Sequence, residues 1–483
     1  MTLPRPLLPV SRSRLRWPLA FLAAAVLAHP LPGLTQDAGT REPSGAEESA
    51  ELLPVTDEIT VTATRTPRTL QEVPGAVSVI EAEEIELQGL ETVRDLVRFE
   101  PGIYVEGDVT RLGLSGFNIR GIGGNRVATR IDGVATAEEF EFGPVTVHRY
   151  SLDLDLLKRV EIVRSAGSAL YGSDALGGVV SFETKDPLDL LTRPGQRTAF
   201  SLKTGYDGRD EGFSQTLSTA LGGPRWQGAL FAGRNDAREL DNFGGTGTVE
   251  TRDTSRTAPN PQEHQSFDGL VKLTHQPSDT SSFKLTAERY HGETETEVLS
   301  LQGRANLAPT LPPGAVAYVD TTRYDALDTQ SRGRLSLEQS YTQRNGGLFD
   351  RLGWRVFLQS SVTEQDTEEL RRTTQGGGPL GPLRTSNVLR DGRLRFDQEE
   401  IGGEVELQKA LLGSSSDPGP GMTHLLTYGV SWSENRFDQW RDRADRDLDT
   451  GDPDVYTGPL IYPTKYFPAS DVRKAGVFVQ DEM

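Results

Sequence analysis

The strongest constraint on the fold is a two-residue alternation of apolar and polar side chains that begins near residue 198. It is clear in "RLSLEQSY" (334–341) and "HLLTYGVSW" (424–432). Such alternation is typical of β-strands with one face in an apolar environment, and strands of about ten residues match a tilted crossing of a bilayer. The pattern predicts ten strands, near 198–208, 213–223, 226–236, 265–277, 281–292, 330–343, 353–365, 394–410, 422–437 and 471–483.

The links between these strands differ in length in a regular way. After the third strand, long polar links (237–264, 293–329, 366–393 and 438–470) alternate with short ones (278–280, 344–352 and 411–421). Long outer loops and short periplasmic turns are typical of outer-membrane barrels. The mean hydropathy of −0.46 argues against a bundle of membrane helices. It permits a barrel, because only alternate positions of a barrel strand face lipid. We therefore predict that 198–483 is transmembrane antiparallel β-barrel wall.

The start of the chain has the features of an export signal. Four arginines precede the apolar run "WPLAFLAAAVLA", which predicts a signal peptide over 1–28 and a flexible acidic tail over 29–69. The predicted location is the bacterial outer membrane, in contact with its lipid. The chain has no cysteine, which excludes disulfides and thiol catalysis, and its net charge of −19 argues against nucleic-acid binding. No nucleophile triad or hydrolase motif is evident, so we predict a protein that is not an enzyme.

A small α+β domain is predicted over 70–187, where short strands alternate with helical turns. Its stretch "IRGIGGNRVATRIDGV" (119–134) has the glycines of a phosphate-binding loop, but not the dinucleotide spacing, and a strand rather than a helix follows. We interpret these glycines as tight turns of the domain. We expect most of its arginines to pair with inward acids of the barrel wall; they are Arg120, Arg126, Arg130, Arg159 and Arg164. The alternating acids of "SLDLDLLKR" predict a strand with one polar face.

A β-prone run, "DEITVTATR" (57–65), stands alone between the tail and a Thr-Pro turn. A strand former without a nearby partner suits pairing with the sheet edge of another protein. The alternative is that it forms a strand of the domain that follows.

These segments together resemble the TonB-dependent outer-membrane receptors. "DEITVTA" resembles the TonB box, and "IRGIGGNRVATRIDGV" and "KRVEIVRSAGSALYGSDALGGVV" resemble the plug domain. The resemblance implies a plug inside a barrel, and active uptake driven through TonB and its inner-membrane complex. The TonB contact would then be Asp57, Glu58, Ile59, Thr60, Val61, Thr62 and Ala63. The plug core motif would comprise Ile119, Arg120, Gly121, Arg126, Asp132, Gly133, Tyr171 and Gly172.

Within that family, the plug is most similar to the haem and haemoglobin receptors. The resemblance implies uptake of haem, free or protein-bound, as a transported ligand and not as a permanent cofactor; a ferric siderophore or another metal chelate is the alternative. Imidazole binds haem iron well. His148 is the candidate plug ligand. His264 and His291 border long links on the extracellular side and are candidates for the second ligand, while Tyr462 and Tyr466, in the last long loop, are weaker oxygen candidates. No resident metal is assigned. Family barrels have about 22 strands, so ten suggest a truncated sequence.

Overall fold

The computed structural model describes sixteen segments of the chain. They are residues 60–61, 68–69, 77–108, 111, 113–142, 145–146, 152–165, 167–172, 174–193, 195–240, 252–308, 310–343, 347–412, 423–453, 455–456 and 460–482. The chain divides into two units, Met1–Asp57 and Glu58–Met483, and every described residue belongs to the second. The predicted signal peptide and most of the predicted tail lie outside the described residues, so both stay predictions, as do the predicted domain boundaries.

The N-terminal part of this unit is a small α+β domain, here called the plug. Its strands are β1 (Thr60–Val61), β2 (Arg68–Thr69), β3 (Val77–Glu81), β4 (Ile103–Asp108), β5 (Gly113–Ile119), β6 (Val127–Ile131), β7 (Val134–Ala135), β8 (Glu141–Phe142), β9 (Val145–Thr146), β10 (Leu157–Val163) and β11 (Gly178–Thr184). Its helices are α1 (Ala82–Gln88), α2 (Val93–Leu96), α3 (Ser168–Tyr171) and α4 (Pro187–Leu190), with 3-10 turns at Gly124–Arg126 and Leu154–Leu156.

The plug is organised around a five-stranded sheet in the order β3-β10-β11-β6-β7. Only the β11–β6 pair is parallel, and β4–β5 and β8–β9 form separate two-stranded ladders. The strands carry runs of apolar residues because helices and loops cover both faces of the sheet. Ile119, Leu157, Val160 and Ile162 are completely buried in the centre of this core.

The rest of the unit is one antiparallel sheet, here called the wall. Its strands are β12 (Thr198–Asp207), β13 (Gly212–Gly222), β14 (Trp226–Arg238), β15 (Gln262–Ser278), β16 (Ser281–Glu297), β17 (Gly303–Asn306), β18 (Val316–Thr342), β19 (Arg351–Gly376), β20 (Arg384–Leu412), β21 (Thr423–Asp447) and β22 (Ser470–Glu482), with 3-10 turns at Leu299–Leu301 and Gly378–Leu380. Each strand pairs with its neighbour along the chain, except that β16 pairs with β18 and the short β17 adds to β18. This confirms the predicted fold class, a plug with an antiparallel barrel-type wall.

The ten predicted strand windows each coincide with a wall strand, but four strands are far longer than expected. β18, β19, β20 and β21 have 27, 26, 29 and 25 residues. A strand of 29 residues is about 95 Å long at about 3.3 Å per residue, three times the thickness of the hydrocarbon layer. Much of the sequence that we predicted as loops over 293–329, 366–393 and 438–470 is therefore strand.

The extensions hold together through charge rather than apolar contact. Arg393 Nε lies 2.5 Å from Asp366 on the neighbouring strand, and Arg390 Nε lies 3.1 Å from Asp445. Opposite charges on adjacent strands stabilise a sheet, but they give the sequence the polar composition of a loop. That composition explains why the strand ends were missed.

Within the described part of the chain, no helix combines the length and the apolar character needed to cross a membrane.

Candidate functional site

The functional site begins with the predicted partner-binding strand. Of 57–63, the structure describes Thr60 and Val61, which pair with Thr69 and Arg68 as the β1–β2 ladder. The sequence had suggested no partner strand nearby, so this local pairing is a difference from the expectation. The other candidate residues, Asp57, Glu58, Ile59, Thr62 and Ala63, lie outside the described residues, and the TonB contact stays a prediction.

Asp132, in the core motif, is the centre of the contact between plug and wall. It follows β6 in a turn with positive φ, at +46°, and Gly133 follows at +77°. Its carboxylate accepts hydrogen bonds from the Thr184 amide (2.9 Å) and hydroxyl (2.8 Å). These bonds hold the carboxylate at the plug surface with its remaining lone pairs towards the wall.

Two buried wall cations meet this carboxylate. Arg334 Nη2 lies 2.8 Å and Lys272 Nζ 3.6 Å from the Asp132 oxygens, and both side chains are at most 2% exposed. We call Asp132, Thr184, Lys272 and Arg334 the Asp132 cluster. Burial alone would raise the pKa of Asp132, but the charges of Lys272 and Arg334 lower it far below its ordinary value. The group is therefore a carboxylate at neutral pH, bound to the wall by charge.

Each of the two cations also forms an ion pair with a second carboxylate. Arg334 also contacts Glu288 at 2.8 Å, and Lys272 contacts Asp186 at 3.0 Å. Asp186 lies just before α4 and receives a second wall lysine, Lys284, at 3.1 Å. Each buried charge thus has more than one partner, as burial of ions requires.

Gly133 brings the plug backbone against a third wall cation. A Cβ atom at this position would lie 2.1 Å from Nη1 of Arg355. Arg355 is held at that point by Glu338 (3.2 Å) and Glu404 (2.9 Å). The Ile-Asp-Gly turn of the motif therefore brings the plug backbone close to charged wall residues; φ favours glycine there, and a larger residue would also displace the Arg355 guanidinium.

The plug arginines do not follow the predicted pairing. Arg159 binds Glu161 and Glu183 (both 2.8 Å), and Arg164 binds Glu100 (2.8 Å), all within the plug. At the Asp132 cluster the charges across the interface are the reverse of those predicted: the acids belong to the plug and the cations belong to the wall.

Two other predicted arginines make backbone contacts inside the plug. Arg126 donates to the Gly123 carbonyl (3.2 Å), and Arg130 donates to the Gly133 carbonyl (2.9 Å). Arg120, at φ +52°, is exposed. A different plug arginine, Arg111, does bind a wall acid, Asp328, at 2.8 Å.

The remaining motif residues have structural roles. Ile119 is completely buried in the plug core. Gly121 and Gly172 both have φ of +85°, which favours glycine in these turns. Tyr171 packs against the cluster of Ala128, Val163, Ala175 and Val179. The stretch 119–134 thus works as turns and strands of the plug, in agreement with the mechanical interpretation.

A second contact between plug and wall was missed in the sequence. "LDL" (154–156) forms a 3-10 turn rather than the predicted strand, and this turn brings Asp153 and Asp155 to the same wall residue. Thr216 donates to Asp153 at 3.3 Å and to Asp155 at 3.0 Å, and Lys203 Nζ lies 2.5 Å from Asp155. Burial, and then the charge of Asp155, raise the pKa of Asp153 to about 6.

The histidine candidates lie in different environments. His148 is outside the described residues. His264, on β15, is half-buried on the inner face, the face of Leu270 and Lys272, and its Nδ1 lies 2.9 Å from Thr294 Oγ1. His291, on β16, is exposed on the outer face, and its Nδ1 lies 2.9 Å from Ser331 Oγ. The structure does not place these two on one surface, and among described residues no group of three or more metal-ligating acidic or imidazole side chains occurs.

Comparison with known proteins places the plug in a defined group. Residues 69–179 match the family model "TonB-dependent Receptor Plug Domain". The chain is similar to the hemin receptor of Yersinia pestis, with 28% identity over 420 residues, 82% of this chain and 57% of that protein. It is also similar to the hemoglobin and hemoglobin-haptoglobin-binding protein A of Haemophilus influenzae, with 33% identity over 260 residues, 51% of this chain and 23% of that protein. The chain thus matches between about a quarter and three fifths of the length of these relatives. Among solved structures, the FrpB iron transporter from Neisseria meningitidis matches 76% of this chain and 62% of its own, with a TM-score of 0.47 and 14% identity.

Proposed function

Since this chain carries the plug domain and antiparallel wall of the TonB-dependent receptors, we propose that it takes part in uptake of haem across the bacterial outer membrane. The observation that carries the ligand class is the similarity to the hemin receptor, which extends through the plug and into the wall. Haem, free or carried by a protein, is the transported ligand in this proposal and not a resident cofactor. A ferric siderophore or other metal chelate is the alternative cargo.

The plug–wall interface supports a transport role. Its described contacts include ion pairs, such as Arg334–Asp132 and Lys203–Asp155, beside two apolar clusters around plug residues Leu156 and Phe140. Polar contacts of this kind exchange with water more readily than a close-packed apolar interface, since water replaces each partner when the surfaces separate. Where the plug is held by polar contacts, it can be displaced with water in place of each partner, and the exposed apolar area is confined to the two clusters.

Energy for that displacement would come through 57–63. In this proposal TonB pairs with the backbone of Asp57–Ala63 in an extended form. The local β1–β2 ladder has two residue pairs, so a partner strand can replace it at little cost. Because the pairing uses backbone hydrogen bonds, the identity of the side chains in 57–63 should affect uptake less than the ability of the segment to remain extended with its amides free to pair.

Growth assays test the proposal. The complete reading frame is expressed in a bacterium that can neither make haem nor import it, with haem as the supplied source. Growth is expected with TonB present and absent without it. Ile59→Pro removes an amide from the pairing strand and is expected to abolish growth, whereas Ile59→Val, the matched control, retains it. Uptake of ferric siderophores without growth on haem would overturn the haem assignment, and haem-supported growth without TonB would overturn the mechanism.

A further inference from the structure

A group of aromatic and arginine side chains lies on β21, close to the point where Phe437 of this strand belongs to a cluster with plug residue Phe140. On this strand, Phe437, Gln439, Arg441 and Asp445 alternate with outward residues and share the inner face. The chain segment that precedes β22 lies along the same strand: Arg441 and Thr464 exchange backbone hydrogen bonds in both directions, each 2.8 Å. This segment belongs to the last of the links that were predicted to be extracellular.

Two tyrosines on either side of Thr464 lie close to Arg441. They are Tyr462 and Tyr466, and the Arg441 guanidinium carbon lies 5.9 Å from the centroid of each ring. The Tyr466 amide also donates to Gln439 Oε1 at 2.9 Å, which fixes the segment against the wall.

A third tyrosine and a second arginine complete the group. Tyr456 packs edge-on against Tyr462, with centroids 5.2 Å apart, and the Arg443 guanidinium lies 4.4 Å from the Tyr456 ring centroid. We call Tyr456, Tyr462, Tyr466, Arg441 and Arg443 the tyrosine–arginine cluster. All five side chains are half-buried, so they are held in place and still open to a ligand.

The charge of the cluster favours an anion. Arg443 is balanced by Asp445 at 2.6 Å. Arg441 donates to the phenolic oxygen of Tyr466, and among the described residues no carboxylate lies within ion-pair distance of it. A half-buried guanidinium bound to a neutral oxygen has capacity for a negative charge.

An apolar group that includes a plug residue adjoins this cluster in the chain, because Phe467 follows Tyr466 directly. Phe140 of the plug stacks on Phe396 of β20, with centroids 4.8 Å apart and planes at 6°. Phe467, the neighbour of Tyr466 in the chain, meets Phe140 edge-on at 5.5 Å, and Phe437 completes the group. We call these four residues the phenylalanine cluster. Phe396 and Phe437 are buried, whereas Phe140 and Phe467 are half-buried and can offer ring surface to a planar aromatic ligand.

From this geometry we propose that the tyrosine–arginine cluster binds haem, with the Tyr466 oxygen as an axial iron ligand. A tyrosine oxygen is an established type of haem-iron ligand. Arg441 is a positioning residue. Its hydrogen bond orients the Tyr466 ring, and its positive charge stabilises the phenolate form of Tyr466 that would bind ferric iron. Of the phenylalanine cluster, the half-buried Phe140 and Phe467 contact the ligand. This inference rests on the proposed function, because it names residues of the same uptake site.

Spectroscopic titration of the full-length receptor with ferric haem tests the assignment. The wild-type protein is expected to show the high-spin absorption and electron paramagnetic resonance signals of phenolate ligation. Tyr466→Phe is expected to lose them and to bind haem more than about tenfold more weakly. Tyr428→Phe, on the same strand β21 but outside the cluster, where its hydroxyl donates to the Leu348 carbonyl, is the matched control and is expected to retain the wild-type spectrum.

Two more variants separate a ligand from a structural residue. Tyr466→His is expected to restore binding with a changed spectrum, that of imidazole ligation, which a packing role would not produce. Arg441→Gln is expected to weaken binding about 10- to 100-fold and to shift the phenolate signals. If wild-type protein binds haem and Tyr466→Phe leaves the spectrum unchanged, the Tyr466 assignment is refuted while the proposed function stands. If wild-type protein binds no haem, the proposed function itself fails.

Discussion

Replacement of Asp132 by asparagine should loosen the plug in the wall. Asparagine keeps the size of the side chain and part of its hydrogen bonding, but it removes the charge that meets Arg334 at 2.8 Å and Lys272 at 3.6 Å. Loss of one partner from a buried ion pair costs about 3–5 kcal/mol when the other charge is left alone. Here Glu288 and Asp186 still neutralise the two cations, so we expect a cost below that range, of about 2–3 kcal/mol.

The absence of cysteine gives a clean assay for this change. Ala137 is a buried plug residue that lines a small crevice against the wall with Gln359, Ser361, Gln398, Glu400 and Asn435. In an Ala137→Cys background, the single thiol should react with a thiol reagent only when the plug separates from the wall. The labelling rate therefore reports the free energy of that opening. A loss of about 2–3 kcal/mol raises the rate roughly 30- to 150-fold.

An exposed ion pair across the same interface supplies the control. Asp174 of the plug contacts Lys474 of β22 at 2.8 Å, and both side chains are more than 40% exposed. Such pairs contribute about 0–1 kcal/mol, so Asp174→Asn should raise the rate less than about fivefold. Equal effects of Asp132→Asn and Asp174→Asn would refute the conclusion that burial makes the Asp132 cluster the stronger contact.

Two further predictions concern other parts of the plug. The pKa of Asp153, raised by burial to about 6, means that the folded protein binds more protons than the unfolded chain between about pH 4 and 6. Opening measured by the same labelling, with the rate corrected for the pH dependence of the thiol itself, should therefore become less favourable by up to about 3 kcal/mol as the pH falls from about 6 to about 4. Asp153→Asn should remove this dependence, and an unchanged profile in the variant would contradict the assignment. Gly178 has φ of +148°, and a Cβ there would lie 2.4 Å from the Val163 carbonyl oxygen. Gly178→Ala should thus destabilise the β10–β11 ladder by more than about 2 kcal/mol in denaturant unfolding, and Gly195→Ala, at φ +78° with open space around it, should have a smaller effect.

The wall was predictable because its signal is local. Alternation over eight to ten residues was sufficient to locate ten strands, since the outer residues face one environment along the whole strand. The strand extensions were not predictable in this way. Arg393 and Asp366 become neighbours only when β19 and β20 pair in register. The sequence around either residue does not show that it has an oppositely charged partner on another strand.

The plug contacts show the same limit. Asp132 belongs to a motif that the sequence identified, yet its partner Arg334 lies 202 positions away. The expectation that arginines would seat the plug came from composition, which does not specify on which side of an interface each charge lies. The contact of Asp153 and Asp155 with Thr216 was missed because alternating acids are compatible with a polar strand face as well as with a 3-10 turn. The structure has the 3-10 turn, and both carboxylates contact Thr216. The roles of His148, His264 and His291 stay predictions.

The two ends of the plug–wall interface are joined by a short piece of chain. The turn at Asp132 and Gly133 is separated from Phe140 of the phenylalanine cluster by β7 and four further residues, and Glu138 between them donates its amide to wall Gln398 at 2.9 Å. Because this connection is short, a ligand that displaces Phe140 would be expected to shift the turn at Asp132 and weaken its ion pair with Arg334. We expect Phe140→Ala and Asp132→Asn to be coupled when both are measured by thiol labelling in the Ala137→Cys background, with a double variant that departs from additivity by more than about 0.5 kcal/mol. Strict additivity would show that the two clusters hold the plug independently, and release by ligand would then have to reach Asp132 through the wall.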